Sequence, residues 1–268
     1  MRALKTLLVL ACALLAGATA CSSEDPDGTG GGSSGTGGSA GGDVGPACTD
    51  AAEVPCSDQV IQQLDLQPVP APGLITNEAD GDGWASQIDA TAGGFGADPP
   101  HSFVYGRFTD AGLEKVEIGD EAALESMGWD IAFRRYLVRI NSGNSGPSCV
   151  TGTPIPGAVA YDDVTAVPEN LPEMRKDEYF TPTCNVMIED GNGLGSPATA
   201  LWPYWGYETC VRMTDAVFIV QTQSGRRLKL TVTDYYTPEV QEQCDTTDMI
   251  PMSGSGAANF RVRWAFLP

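Results

Sequence analysis

The sequence predicts an all-β domain whose strands run largely antiparallel, with two short helices. Three observations carry that reading. Apolar and polar side chains alternate at period two through Trp129–Phe133, Leu228–Thr233 and Phe260–Phe266, the pattern of strands with one face on a core. Clusters of Gly, Asn, Ser and Pro separate such runs, as turns require. Long helical periodicity does not alternate with the strands, which argues for a meander rather than a parallel sheet.

Taken in order, the first twenty residues are an export signal. Arg2 and Lys5 form a charged start, and Leu7 to Leu15 is an apolar stretch too short to span a bilayer as a helix. Ala18-Thr19-Ala20 is a small-residue cleavage site before Cys21. With Ser22 and Ser23 behind it, Cys21 has the setting of a bacterial lipoprotein acylation site; ordinary secretion through the same Ala-x-Ala site is the alternative. Either route exports the protein, and lipidation would anchor it, by expectation at the bacterial outer membrane or cell surface. Residues 21–47 then comprise the lipidated Cys and a tether. Residues 22–47 are almost entirely Ser, Gly, Thr, Asp and Ala, which cannot build a core and span on the order of 25–30 Å as a flexible chain.

Residues 48–84 read as a small N-terminal segment containing a disulfide, and residues 85–268 as the β domain. Ser57 is placed to cap a short helix carrying Val60, Ile61 and Leu64 on one face, which the Pro-rich run Gln67–Gly73 ends. Glu78–Gly83 alternates acids with Gly in sixth place, and Asp89 falls where a twelfth calcium ligand would stand. Because Asp replaces the usual Glu there, and Trp84–Ala90 alternates like a strand, the run reads as an acidic turn. Phe103, Tyr105 and Phe108 mark a strand. Asp120–Met127 predicts the second helix, capped by Asp120 and stopped by Gly128. Trp129–Phe133 follows as a half-buried strand, then a second extended run through Tyr136, Val138 and Ile140. Asn141–Gly146 offers only residues suited to tight turns and close backbone approach. Val217–Gln223 and Arg226–Tyr236 flank Ser224-Gly225 as a hairpin, with Leu228, Leu230 and Val232 on one face and Lys229, Thr231 and Thr233 on the other.

Composition restricts function. The net charge is −20, and loss of Arg2 and Lys5 with the signal leaves the chain two units more negative. Such a polyanion repels phosphate backbones and anionic headgroups, so no nucleic-acid binding is expected and membrane contact rests on the lipid anchor alone. Setting aside Cys12 in the signal and Cys21, six cysteines remain, an even number that reads as three disulfides outside the cytoplasm. Cys48 and Cys56 close a short loop and are expected to pair. The other four permit three connectivities, of which Cys184–Cys210 with Cys149–Cys244 is the expected one. With no CxxC pair and His101 the single histidine, no zinc site is expected. His101 itself, in Asp98-Pro99-Pro100-His101, reads as an exposed loop residue. One histidine and no motif selecting a carboxylate pair among 35 acids leave nothing for acid–base or nucleophilic catalysis. The expectation is a binding protein, not an enzyme.

Trp129-Asp130-Ile131-Ala132-Phe133-Arg134-Arg135-Tyr136, followed by Asn141-Ser142-Gly143-Asn144-Ser145-Gly146, resembles the signature of the HmuY family, bacterial lipoproteins that bind haem. Gln87–Ala90, Ala158–Ala160, Thr165–Pro168 and Val217–Tyr236 with its Thr233-Asp234-Tyr235-Tyr236 ending resemble further segments, so that the similarity covers residues 85–268. It implies an all-β fold with two finger-like extensions that grip haem between them. The family's best-known members ligate iron with one histidine on each finger, and relatives use methionine. The corresponding segments, Pro172–Ser196 and Leu201–Met213, contain no histidine. Aligning Trp202 with the family's tryptophan puts Tyr207 where a histidine stands. On the first finger Met174, Tyr179 and Met187 are the candidates, Tyr and Met both being known haem ligands. Trp202 and Trp205, within Trp202–Tyr207, supply aromatic surface to cover a porphyrin. The same aromatics also suit packing on the sheet or a protein partner. The resemblance thus implies haem or a related tetrapyrrole as cofactor; protein partners stay open.

Overall fold

A computed structural model describes residues 45–92, 100–187, 199–251 and 254–268, all within one compact unit. The signal, Cys21 and most of the tether lie outside the described residues. The elements in order are α1 (Ser57–Gln63), β1 (Ile75–Asp80), β2 (Gly83–Asp89), β3 (Val104–Thr109), β4 (Gly112–Val116), α2 (Asp120–Ala123), β5 (Ile131–Arg134), β6 (Leu137–Ile140) and β7 (Thr151–Pro154). They continue with a single 3-10 turn (Tyr161–Asp163), β8 (Trp205–Tyr207), β9 (Val211–Met213), β10 (Val217–Gln221), β11 (Arg227–Asp234), α3 (Pro238–Thr247) and β12 (Asn259–Phe266).

A six-stranded sheet in the order β1-β2-β12-β11-β10-β7 faces a four-stranded sheet in the order β4-β3-β5-β6, and every pairing is antiparallel. The alternation of β11 and β12 sends Leu228, Leu230, Val232, Phe260, Val262 and Trp264 into the space between the sheets. Phe133 meets Phe260 there with ring centres 5.4 Å apart, and Phe108 meets Trp264 at 4.8 Å. Asn77 on edge strand β1 closes one side: its side-chain amide donates to the Leu113 carbonyl and accepts the Leu113 N–H, at 3.1 and 2.9 Å. It thereby acts as a strand partner for β4.

The half-buried expectation for the central strands is corrected. Trp129, Asp130, Ile131, Ala132 and Phe133 are all buried, because a second core lies behind the four-stranded sheet. There Trp129, Ala132, Phe103 and Tyr105 pack on Val60 of α1 and Leu64 just after it, on Leu124, and on Tyr179. The six-stranded sheet is covered as well. Tyr161, Val164, Leu171 and Met174 pack on Val217 and Ile219, which buries Lys229 and Thr231 on the face that alternation marks as polar. The Lys229 ammonium donates to the Tyr161 carbonyl at 3.1 Å and lies 4.2 Å from the centre of its ring. Residues 48–84 are woven into this framework through α1 and β1 rather than standing apart.

Among the described residues three α-helices form, not two. Pro238, at the first turn of α3 where its missing N–H costs nothing, is the start signal that strand periodicity hid. Neither expected cap is made: Cys56 precedes α1 in a left-handed conformation without a side-chain cap, and Gly119 holds that position for α2. The α2 helix has only four residues, and the Asp120 carboxylate turns inward. It accepts the N–H groups of Gln67 and Phe103 at 2.9 and 2.8 Å and the Tyr105 hydroxyl at 2.8 Å, with Arg134 3.5 Å away. The acidic run at Glu78–Gly83 is the end of β1, the Gly81-Asp82 turn and the start of β2, and Asp80 pairs with Arg263 at 2.6 Å.

All three expected disulfides are replaced. The pairs are Cys48–Cys149, Cys56–Cys184 and Cys210–Cys244, not Cys48–Cys56, Cys184–Cys210 and Cys149–Cys244. Proximity in sequence loses to the route of the arm: Gly45 N–H bonds to the Gly225 carbonyl and Cys48 N–H to the Gln223 carbonyl, which carries Cys48 past Cys149. Non-reducing peptide mapping should return these three pairs. Replacing Cys210 and Cys244 together by Ser opens a loop of sequence separation 34 and should lower unfolding stability in urea by about 3–4 kcal/mol.

Asp130 joins the two sheets. Its carboxylate accepts the Phe108 N–H of β3 at 2.9 Å and the Gln223 N–H from the β10–β11 turn. Burial raises its pKa from 3.8 to about 6, opposed by those two N–H groups and by Arg107. A carboxyl with a folded pKa above its unfolded value stabilises the fold when protonated, a contribution complete below the unfolded pKa and lost as pH rises through the folded one. Asp130→Asn keeps a neutral side chain, so its stability relative to wild type should rise by roughly 2–3 kcal/mol between pH 4 and 7. A pH-independent difference in urea midpoints would reject the assignment.

Candidate functional site

The segment from Leu201 to Met213 forms the two-stranded hairpin β8–β9, with Trp205 opposite Met213 and Tyr207 opposite Val211. Leu201 roots it in the main core, close against Gly152, where a side chain would approach Leu201 to 2.7 Å. The peptide bond between Trp202 and Pro203 is cis. Tyr204 is buried and donates its hydroxyl to the Tyr136 carbonyl, and burial drives its pKa well upward. Trp205 is also buried, edge-on to Tyr136 at 6.0 Å and to Trp202 at 5.4 Å. Trp202 is half-buried. Tyr207 lies on the same face of β8 as Trp205, but at the far end of the strand, and is 61% exposed.

This hairpin is held by α3. Cys210 is bonded to Cys244. Gln241, buried, receives the N–H groups of Tyr235 and Tyr236 on its carbonyl oxygen and donates to the Val211 carbonyl at 3.2 Å. Val211 N–H in turn reaches the Tyr236 hydroxyl at 3.0 Å. The Asp234-Tyr235-Tyr236 ending therefore anchors the hairpin, a role its sequence did not disclose.

The first expected finger is docked on the domain as far as it is described, to Met187. Arg175 exchanges both main-chain hydrogen bonds with Gly152, and its guanidinium donates to the Ala200 and Trp202 carbonyls at 3.3 Å, joining the roots of both segments. Asp177, fully buried, accepts the N–H of Ile140, the N–H of Ala200 and the Ser145 hydroxyl at 2.7–2.8 Å, and the Tyr179 hydroxyl at 3.0 Å. Arg139, also fully buried, donates to the Ser145 hydroxyl and carbonyl. The Asn141–Gly146 loop is the receiver. Asn144 accepts the N–H groups of both Tyr179 and Phe180 on its side chain. A side chain on Gly143 (φ 58°) would meet the Asp177 carbonyl at 2.1 Å. This explains the close-approach composition of the loop. Beyond it, Cys184 is fixed to Cys56.

These contacts sort the ligand candidates. Tyr179 is corrected: only 1% exposed, it has its hydroxyl committed to Asp177 and Ser145. Met174 packs on the outer face of the six-stranded sheet beside Tyr161 and Val217. Met187 is half-buried, its N–H on the Tyr179 carbonyl at 2.7 Å. Tyr207 shares no strand pairing, hydrogen bond or apolar cluster with any of the three among the described residues. Trp205 gives its surface to packing, leaving Trp202 and Tyr207 as the accessible aromatics. Cys21 lies outside the described residues. His101 is an exposed loop residue.

Desolvation raises the Asp177 pKa against its four hydrogen-bond donors. Removing a buried carboxylate leaves the Ile140 and Ala200 N–H groups unpaired and takes an acceptor from the Ser145 and Tyr179 hydroxyls. Asp177→Ala should therefore destabilise the fold by about 3–5 kcal/mol. It should also selectively speed hydrogen exchange at the Ile140 and Ala200 amides; unchanged protection at both would reject its linking role.

A model of the family described as HmuY protein matches residues 101–247. No curated protein gives a significant match. Among solved structures, a candidate lipoprotein from Bacteroides fragilis aligns at 13% identity and TM-score 0.41, covering 70% of this chain and 90% of its own. A candidate HmuY-like haem-binding protein from Bacteroides vulgatus aligns at 18% and 0.39, covering 68% and 90%. The apo form of an HmuY analogue from Tannerella forsythia aligns at 15% and 0.37, covering 74% and 98%. The family model spans more than half of the sequence, and the chain belongs to the HmuY family.

Proposed function

We propose that this protein is an exported lipoprotein, acylated at Cys21, that binds haem or a related tetrapyrrole at the β8–β9 hairpin without acting as an enzyme. The observation that carries the reading is Tyr207, an exposed phenol on a hairpin rooted in the core and stapled to a helix by Cys210–Cys244. Trp202 stands in the same segment with part of its surface free. A flat apolar macrocycle gains from such aromatic surface. When bound, haem would supply an iron atom that accepts a phenolate or thioether ligand. Tyr207 fits the first description.

Export and anchoring rest on the signal and on Cys21. Among the described residues no helix is long and apolar enough to cross a membrane. The tether would let the domain stand away from the bilayer, and the acidic surface gives no means of holding anionic lipid.

A second reading has its own observation. The two segments carry no histidine, and Tyr179 is spent on Asp177. A domain with this packing would also suit a non-catalytic binding protein that has exchanged haem for a protein or another ligand. Haemin titrated into the chain from Ser22 onward, which keeps the whole compact unit, distinguishes them. The first reading expects a saturable Soret shift in the ferric state that Tyr207→Phe alters. Absence of a shift in both ferric and ferrous states supports the second and rejects the first. A shift that is identical in Tyr207→Phe removes Tyr207 as ligand.

A further inference from the structure

A cavity of about 310 Å³ opens at the end of β10 that lies away from the β8–β9 hairpin. Three parts of the chain enclose it. The N-terminal arm supplies Cys48, β3 supplies Arg107 and Phe108, and the β10–β11 turn supplies Gln223 and Ser224, with Asp130 joining from the residue before β5. These walls are held in place by the fold itself. Gly45 and Cys48 donate their N–H groups to the Gly225 and Gln223 carbonyls. The Gln223 side-chain amide donates to the Cys48 carbonyl at 3.5 Å, and Cys149 fixes Cys48 covalently. No residue of the hairpin lines this cavity, so it is a separate place on the molecule.

Two opposite charges line the one space. Asp130 is only 5% exposed, and its carboxylate is met by main-chain donors, the N–H groups of Phe108 and Gln223. Those two bonds leave about half of a carboxylate's acceptor positions unused and bring no counter-charge. The comparison with the other buried aspartates is direct. Asp120 also takes the Tyr105 hydroxyl, and Asp177 takes the hydroxyls of Ser145 and Tyr179. Asp130 takes no side-chain donor and borders the cavity instead. Burial pushes its pKa up to about 6, so at neutral pH it is ionised and short of a partner. Arg107 is near enough to act on it through space. Yet the Arg107 side chain is exposed and, among the described residues, makes no ion pair or hydrogen bond of its own.

A ligand with a single charge meets one favourable wall and one hostile one: an amine faces Arg107, and a carboxylate faces Asp130. A molecule carrying both charges is matched by both walls. We infer that the cavity binds a free amino acid, with its ammonium group on the Asp130 carboxylate and its carboxylate on the Arg107 guanidinium. Charge-assisted hydrogen bonds are the strong ones, and Arg suits a carboxylate through its fork of donors. The volume lies at the small end of ligand sites, which fits a single amino acid rather than a peptide. This inference is independent of the tetrapyrrole reading, since it uses different residues at a different end of β10.

The test uses the chain from Ser22 onward and follows its backbone amide signals by NMR as each common amino acid is added in turn at neutral pH. At least one should shift the Phe108 and Gln223 amides saturably, because both donate to Asp130, while the Tyr207 amide stays in place. Removing one charge from that amino acid, by N-acetylation or by conversion of its carboxyl to the amide, should weaken binding about tenfold, the worth of one charge-assisted hydrogen bond. Arg107→Met deletes an exposed cation and leaves the core intact. It should weaken the free amino acid about tenfold and leave the affinity of its carboxamide unchanged. Asp130→Asn should weaken the free amino acid as much and leave the N-acetyl form unchanged; if that variant does not fold, Arg107→Met decides alone. No saturable shift at Phe108 and Gln223 with any amino acid overturns the inference. So does equal affinity for the free, acetylated and amidated forms, or an affinity for the free amino acid unchanged in Arg107→Met.

Discussion

The Asp177 carboxylate is the interaction on which the functional end of the molecule depends. It is fully buried, and its two oxygens bind groups from three regions: Ile140 of β6, Ser145 of the signature loop, and Ala200 at the root of the hairpin segment. An ionised carboxylate in such surroundings is tolerable only with several donors and a nearby cation. Arg139 answers that need from β6, reaching the same Ser145. The segment containing Asp177 therefore cannot lift from the domain without exposing a bare charge on each side. That coupling makes Tyr179 a structural residue.

The same device recurs. Asp120, Asp130 and Asp177 each accept two main-chain N–H groups: Gln67 and Phe103, Phe108 and Gln223, Ile140 and Ala200. In every case the pair joins segments distant in sequence. Buried aspartates here do across the fold what caps do at helix ends. Each has an arginine near it, Arg134, Arg107 and Arg139 in turn, and Arg134 and Arg139 both lie over the ring of Phe103, at 4.2 and 4.6 Å. The remaining acids are mostly surface groups. Arg263 bridges Asp80 and Asp162 across the outside of the sheet, but partly exposed pairs of this kind add little to stability.

Strand periodicity was legible because it is a local property. The alternations of β11 and β12 and the turn at Ser224-Gly225 needed only neighbouring residues to be recognised. Burial on both faces of the sheets was not. Lys229 and Asp130 are polar side chains on faces that alternation assigns to solvent: Lys229 became interior when the stretch after β7 packed over the sheet, and Asp130 when the β10–β11 turn met the four-stranded sheet. The α3 helix was missed for a related reason: its buried residues Val240, Gln241 and Cys244 include a polar clamp rather than a clear apolar stripe. Of the candidate site, Tyr207 and Trp202 could be named from an aromatic-rich run.

The residues by themselves determined the strand content and the family, because these depend on short-range alternation and contiguous motifs. Tertiary structure alone decided which cysteines meet, which buried carboxylate carries which segment, and which tyrosine keeps its hydroxyl free. Each of those outcomes turns on contacts between segments tens to more than a hundred residues apart, such as Cys48 with Cys149 and Asp177 with Ile140. The energy of desolvating a charge or closing a loop is settled only when the whole chain has packed.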